Sequence, residues 1–144
     1  MTGPAAALAA PAPGSSSDGA ARFEVGRDYT RAEIHAALGG SRRACLPTRD
    51  GRVVAACLLR SLNPDAPHVL LAGTGVRNEP AGALLAVQGG AVPFFTRVAV
   101  HRWRYEGLFA VAEVVEAGAR YERLVAASGR PPASVSRVLL LRAA

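Results

Sequence analysis

Apolar and polar positions alternate most regularly over residues 92–111, V-P-F-F-T-R-V-A-V-H-R-W-R-Y-E-G-L-F-A-V. Period two is what a half-buried strand requires, because successive side chains point to opposite faces of a sheet. Two such runs meet at a basic connection, His101 and Arg102. In the second run Trp103, Tyr105, Gly107, Phe109 and Val111 share one face, while Arg104, Glu106, Leu108 and Ala110 share the other. The pattern predicts a β-hairpin whose second strand runs on to residue 115. Arg97, Arg102 and Arg104 are interleaved with its aromatic residues. Such a hairpin can pack onto a core, or it can face nucleic acid, since guanidinium neutralises phosphate and aromatic rings stack on bases.

The strongest local signal is a helix over residues 31–38. Thr30 is a good N-cap, Glu33 three residues on closes a capping box, and Tyr29 and Ile34 take the two positions of a hydrophobic staple. Gly39 supplies the residue that ends it. A short strand is expected over 44–47 and an Asp50-Gly51 hairpin turn within 48–51. A buried strand over 53–59 and a proline loop over 63–67 follow. Residues 68–72 read as a strand running into the turn Gly73-Thr74-Gly75. Asn78 is placed to cap a helix over 79–88, with Pro80 in its first turn and Gly89-Gly90 after it. Tyr121, Leu124 and Val125 are spaced for a helix over 118–128, and residues 135–141 read as a last strand. Short strands, many turns and few helices indicate an α+β fold: a small barrel or rolled sheet carrying two or three short helices.

Residues 1–21 are mostly Ala, Pro, Gly and Ser with one charged side chain, Asp18, and show no periodicity. Too little apolar surface is available there to offset the entropy cost of ordering, so a disordered tail is expected. Residues 22–144 then form one domain. Half of the 144 residues are hydrophobic, which suffices for a core. No apolar run approaches the roughly 18 residues of a membrane span, and no basic start marks a signal peptide. A cytoplasmic protein is expected.

The charge balance changes the picture. The formal net charge is +6, which suits a polyanionic partner. All 17 basic residues are arginine. Guanidinium binds phosphate and guanine bidentately, but the wealth of Ala, Gly, Pro and Val also fits a GC-rich coding sequence. Cys45 and Cys57 are two isolated thiols, too few for a zinc site; predicted on adjacent strands they could bridge, but buried, reduced thiols are expected. The Gly73-Thr74-Gly75 turn lacks the lysine and the third glycine of a nucleotide loop. His35, His68 and His101 are far apart in sequence and do not form a nuclease metal motif. His35 is either a functional group near the Gly39-Gly40 turn or a backbone-bonded structural histidine. No catalytic residue, metal or cofactor is expected.

Taken in order, these segments resemble a known family. Residues 104–111, R-Y-E-G-L-F-A-V, resemble the R-Y-D-G-L-Y-x-V signature of SRA (YDG) domains. Residues 92–97, V-P-F-F-T-R, are similar to the P-V-x-V-x-R strand before it, and L-A-G-T-G over 71–75 to the family's Y-T-G-x-G turn. The segment R-D-Y-T-R-A-E-I-H-A-A-L-G-G resembles the start of SRA-like modules found with modification-dependent HNH restriction endonucleases. The resemblance implies a PUA-like β-barrel or rolled sheet. It also implies a reader that flips a methylated or hydroxymethylated cytosine from duplex DNA, with a nuclease encoded separately in a restriction or defence setting. Arg42, Arg43, Arg97, Arg102 and Arg104 would hold the DNA backbone. Tyr29, His35, Thr74, Trp103 and Tyr105 would line the base pocket or form a wedge. The sequence departs from the family where an aromatic residue precedes the Thr-Gly turn: Leu71 and Ala72 stand there, and Val76-Arg77-Asn78-Glu79 replaces the acidic position after it. The alternatives are a small-molecule or nucleotide-binding barrel, with His35 and Glu33 or Glu106 as acid–base candidates, and a protein-interaction scaffold without DNA readout.

Overall fold

The computed structural model describes residues 22–144, and the expected tail lies outside them. The first elements are β1 (Asp28–Tyr29) and α1 (Arg31–Leu38), followed by the hairpin β2 (Thr48–Arg49) and β3 (Arg52–Val53). Then come β4 (Ala56–Leu58), β5 (Val69–Gly73), α2 (Asn78–Gln88), β6 (Ala91–Ala99), β7 (Arg102–Val115), α3 (Gly118–Ser128) and β8 (Val135–Ala143). The main sheet runs β4-β6-β7-β8-β5, with β1 added to β7. Only the β4–β6 pair is parallel. The sheet does not close: this is an α+β rolled sheet with three helices, the open form of the expected architecture.

Strand β7 is the spine. One of its edges carries β6 along most of its length, and the other carries first β1 and then β8. The sheet buries both faces. On one, Val92, Phe94, Phe109, Leu58 and Leu139 pack under α2. A Cβ on Gly82 of α2 would lie 2.8 Å from Ala72 Cβ of β5, so this helix sits closer to the sheet than any larger side chain allows. On the other face Phe23, Tyr29, Ile34, Phe95, Trp103 and Tyr105 pack with α1. A third group, with Val125 and Val138 at its centre, seats α3 against β5 and β8.

The local signals act as expected where their chemistry is short-range. Thr30 Oγ1 accepts from Glu33 N at 3.1 Å, and Glu33 Oε1 accepts from Thr30 N at 2.8 Å. This closed capping box contributes about 1 kcal/mol. Asp50 and Gly51 take φ of 52° and 77°, the paired left-handed residues of a tight hairpin turn.

Four expectations need correction. Residues 44–47 form no strand, because the Ser41 hydroxyl accepts from Arg43 N and Ala44 N and folds the chain into a turn, while Pro47 has no N–H to donate. Cys45 therefore lies exposed in a loop rather than buried on a strand, although its carbonyl accepts from Cys57 N at 2.7 Å. The strand expected over 53–59 is broken between β3 and β4, where the chain passes from the small hairpin to the main sheet. Its residues are apolar throughout because both halves are buried. Asn78 is the first residue of α2 rather than its cap. The cap is Arg77, and Asn78 Nδ2 donates back to Thr74 O at 3.3 Å.

Candidate nucleic-acid interface

The Tyr105-Glu106-Gly107 segment is a β-bulge. Phe94 faces Gly107 and the next residue, Phe95, faces Tyr105, so Glu106 is an extra residue on β7. Gly107 has φ of 119°, a conformation that favours glycine. The bulge lets Tyr105 enter the aromatic core while Glu106 leaves the ladder. It also corrects the single face expected over 103–111: Trp103 and Tyr105 lie on one face, Phe109 and Val111 on the other. The Glu106 carboxylate accepts from the hydroxyl of fully buried Thr96 and lies 3.5 Å from the Arg60 guanidinium.

One register row beside the bulge runs Asp28, Arg104, Thr96, Leu58 across β1, β7, β6 and β4. Directly opposed residues share a face, so charged groups gather there. Asp28 Oδ1 accepts from Arg104 Nε at 2.9 Å, and Asp28 Oδ2 accepts from Arg102 Nη2 at 2.7 Å. The bonds from Arg104, and then those from Arg102, hold the Asp28 carboxyl below its ordinary value of 3.8. Two of the five arginines expected on DNA phosphates are thus bonded to a carboxylate. The other three, Arg42, Arg43 and Arg97, are exposed, and their guanidiniums meet no hydrogen-bond or ion-pair partner among the described residues.

The next row places Arg97, Trp103 and Tyr29 side by side on the opposite face. Here the expected base pocket needs correction. Trp103 and Tyr29 are each 9% exposed and Tyr105 is 3% exposed. Tyr105 packs on Phe95 with ring centroids 5.2 Å apart, and Tyr29 meets Phe23 edge-on at 4.9 Å. The Tyr29 hydroxyl accepts from Glu24 N at 2.8 Å. These rings fill a core and present no free face to a base, because the same alternation that gathers aromatic residues also buries them. Arg31 lies 5.3 Å from the Trp103 ring and donates to the carbonyls of Ser41 and Ala44, which fixes the Arg42-Arg43 loop at the rim of this cluster.

His35 also has a structural task, its Nδ1 2.6 Å from Gly40 O. Glu33 is occupied in the cap and Glu106 by Thr96 and Arg60, so the acid–base pairs of the small-molecule reading do not assemble. Thr74 is exposed at the end of β5. Beside it Gly75, Val76, Glu79, Pro80, Ala83 and Arg137 line a shallow, open groove. Cys45 and Cys57 are free thiols, and burial pushes that of Cys57 up to about 12. Among the described residues no three His, Cys, Asp or Glu side chains gather as a metal site.

The sheet extends past its packed region at the turn between β6 and β7. Arg97 faces Trp103 while Ala99 faces Arg102, so Val98 is a second bulged residue. His101 takes φ of 61°. At this tip Val98 and Val100 are 39% and 66% exposed, between Arg97 and Arg102. Reading the sequence for aromatic residues passed over these valines. It also missed Asp28 and Thr96, whose roles depend on cross-strand register.

No family model matches the chain, and no curated protein matches it. Solved structures do share the fold. The SUVH5 SRA domain in complex with hemi-methylated CG DNA superimposes with a TM-score of 0.54 at 16% identity, covering 85% of this chain and 89% of that one. The SUVH5 SRA domain bound to fully hydroxymethylated CG DNA gives the same values. The rolled sheet described above is therefore the SRA fold.

Proposed function

We propose that this protein is a reader of duplex DNA that carries modified cytosine. The observation that carries this reading is an SRA fold whose one sheet end presents exposed guanidiniums that have no partner among the described residues. Arg97 lies at the hairpin, and Arg42 and Arg43 lie on the loop that Arg31 ties to Trp103. The related solved domains are complexed with methylated and hydroxymethylated CG DNA, which supports the same ligand class here. Guanidiniums without intramolecular partners bind phosphate without first breaking an ion pair, and binding releases counterions. The closed aromatic cluster supports this end of the sheet from within, and Thr74 lies past the opposite, Val115 end of β7. The chain reads rather than cuts, works in the cytoplasm, and acts with a separately encoded nuclease in a restriction or defence setting.

The test is a fluorescence-anisotropy titration with otherwise identical duplexes bearing cytosine, 5-methylcytosine or 5-hydroxymethylcytosine. Tighter binding to a modified duplex is expected, with log K falling by roughly 0.9 per phosphate contact as log salt rises. Equal affinity for all three duplexes would refute modified-base reading, and no binding at low salt would refute DNA binding.

A further inference from the structure

We propose that the tip of the β6–β7 hairpin is an apolar wedge, with Val98 and Val100 entering a base step while Arg97 and Arg102 straddle the flanking phosphates. This rests on the DNA reading above and adds to it the element that deforms the duplex. The tip runs R-V-A-V-H-R from Arg97 to Arg102, with no acidic residue. The carboxylate that does reach it, Asp28, is already bonded to Arg102 and Arg104. Exposed valines enclosed by positive charge match a partner that is apolar between two rows of negative charge. A base stack between phosphate strands has that layout, and proteins that kink DNA insert apolar side chains there.

The geometry suits insertion. The hairpin is rigid below the tip, where Phe94 and Phe95 are fully buried on opposite faces of the sheet. Valine is stiff about χ1, so little side-chain freedom is lost when it is confined. The bulge at Val98 and the left-handed backbone at His101 twist the tip out of the regular ladder. Trp103, the residue whose chemistry most suggests a wedge, is held beneath Arg31 in the core. The valines are the apolar groups left outside.

The experiment uses the full chain, its Val98→Ser/Val100→Ser variant and the single variant Val100→Ser. Duplexes carry 2-aminopurine at the modified step and a fluorophore pair at their ends. Wild-type protein is expected to raise 2-aminopurine emission and shorten the end-to-end distance. The double variant should lose both signals and bind about tenfold more weakly, with a melting temperature close to that of wild type because both side chains are exposed and belong to no core cluster. Val100→Ser should lose part of each signal. If both proteins bind the duplex but the double variant unstacks and bends it as wild type does, the wedge is overturned and the DNA reading stands. If wild type binds no duplex, both fall. Loss of binding to anionic lipid vesicles in the double variant, with duplex binding unchanged, would also overturn the wedge and assign the tip to a membrane surface.

Discussion

The two halves of the β6–β7 hairpin share strands, alternation and residue types, yet their surroundings are opposite. Over residues 92–96 every side chain of β6 is buried, and Tyr105 and Phe109 of β7 complete two separate cores. From Arg97 to Arg102 every residue is exposed. The aromatic residues suited to stacking on DNA are all in the packed half, whereas the exposed half offers only valine, alanine, histidine and arginine. In this molecule the conspicuous chemistry maintains the sheet, and the plain residues are the ones left exposed. The division falls where the layers above and below the sheet end, which is a property of packing rather than of the hairpin itself.

Substitutions in the packed half should act on stability. Phe95→Ala removes a ring that is fully buried against Phe23 and Tyr105. It should cost about 3–5 kcal/mol, read as a lower denaturation midpoint in urea. A variant within 1 kcal/mol of wild type would mean that the aromatic cluster is loosely packed, and the contrast between the halves would weaken. Gly107→Ala has a smaller expected effect, about 1–3 kcal/mol, and for a different reason. A Cβ there has room, its nearest neighbours lying 3.7 and 3.8 Å away, so the cost comes from φ of 119° at the bulge.

In the exposed half the readout moves from stability to binding. Arg97→Ala should leave the melting temperature unchanged and reduce the salt slope of duplex binding by about 0.9, the share of one phosphate contact. If the slope is unaltered while binding persists, Arg97 lies off the DNA path. Arg42→Ala tests the loop across the Trp103 rim in the same way, and a loss additive with that of Arg97→Ala is expected for two independent contacts.

The sequence was most legible where a structural task is settled within a few residues. The Thr30–Glu33 capping box, the Asp50-Gly51 turn and α3 follow from local chemistry and periodicity. The resemblance around Tyr105-Glu106-Gly107 led to the right fold. The candidate site was legible only in outline, because exposure is decided by layers remote in sequence. Alternation groups Trp103 with Tyr105, but only α1 folded above them shows that the rings are enclosed. Likewise nothing near Arg102 or Arg104 reveals that both share Asp28, 74 and 76 residues away, since that contact exists only once β1 joins β7.

Asp28 gives the smallest expected effect and the finest test, because it stands at the boundary between the halves. Its carboxylate holds Arg102 of the tip and Arg104 of the packed region at once. The arginines lower its pKa on folding, so its contribution to stability is fully present above 3.8, the ordinary aspartate value, and is lost as pH falls through the still lower folded value. Between neutral pH and pH 5 this group should therefore leave the urea midpoint unchanged. Below pH 4 wild type should lose stability that Asp28→Asn has already lost, so the two profiles converge. The same variant releases two guanidiniums from an internal acceptor. At neutral pH it should bind duplex more tightly and with a steeper salt slope than wild type, while being slightly less stable. If Asp28→Asn instead weakens binding, the carboxylate serves by aiming Arg102 and Arg104 rather than by competing with phosphate, and the boundary residue belongs to the interface.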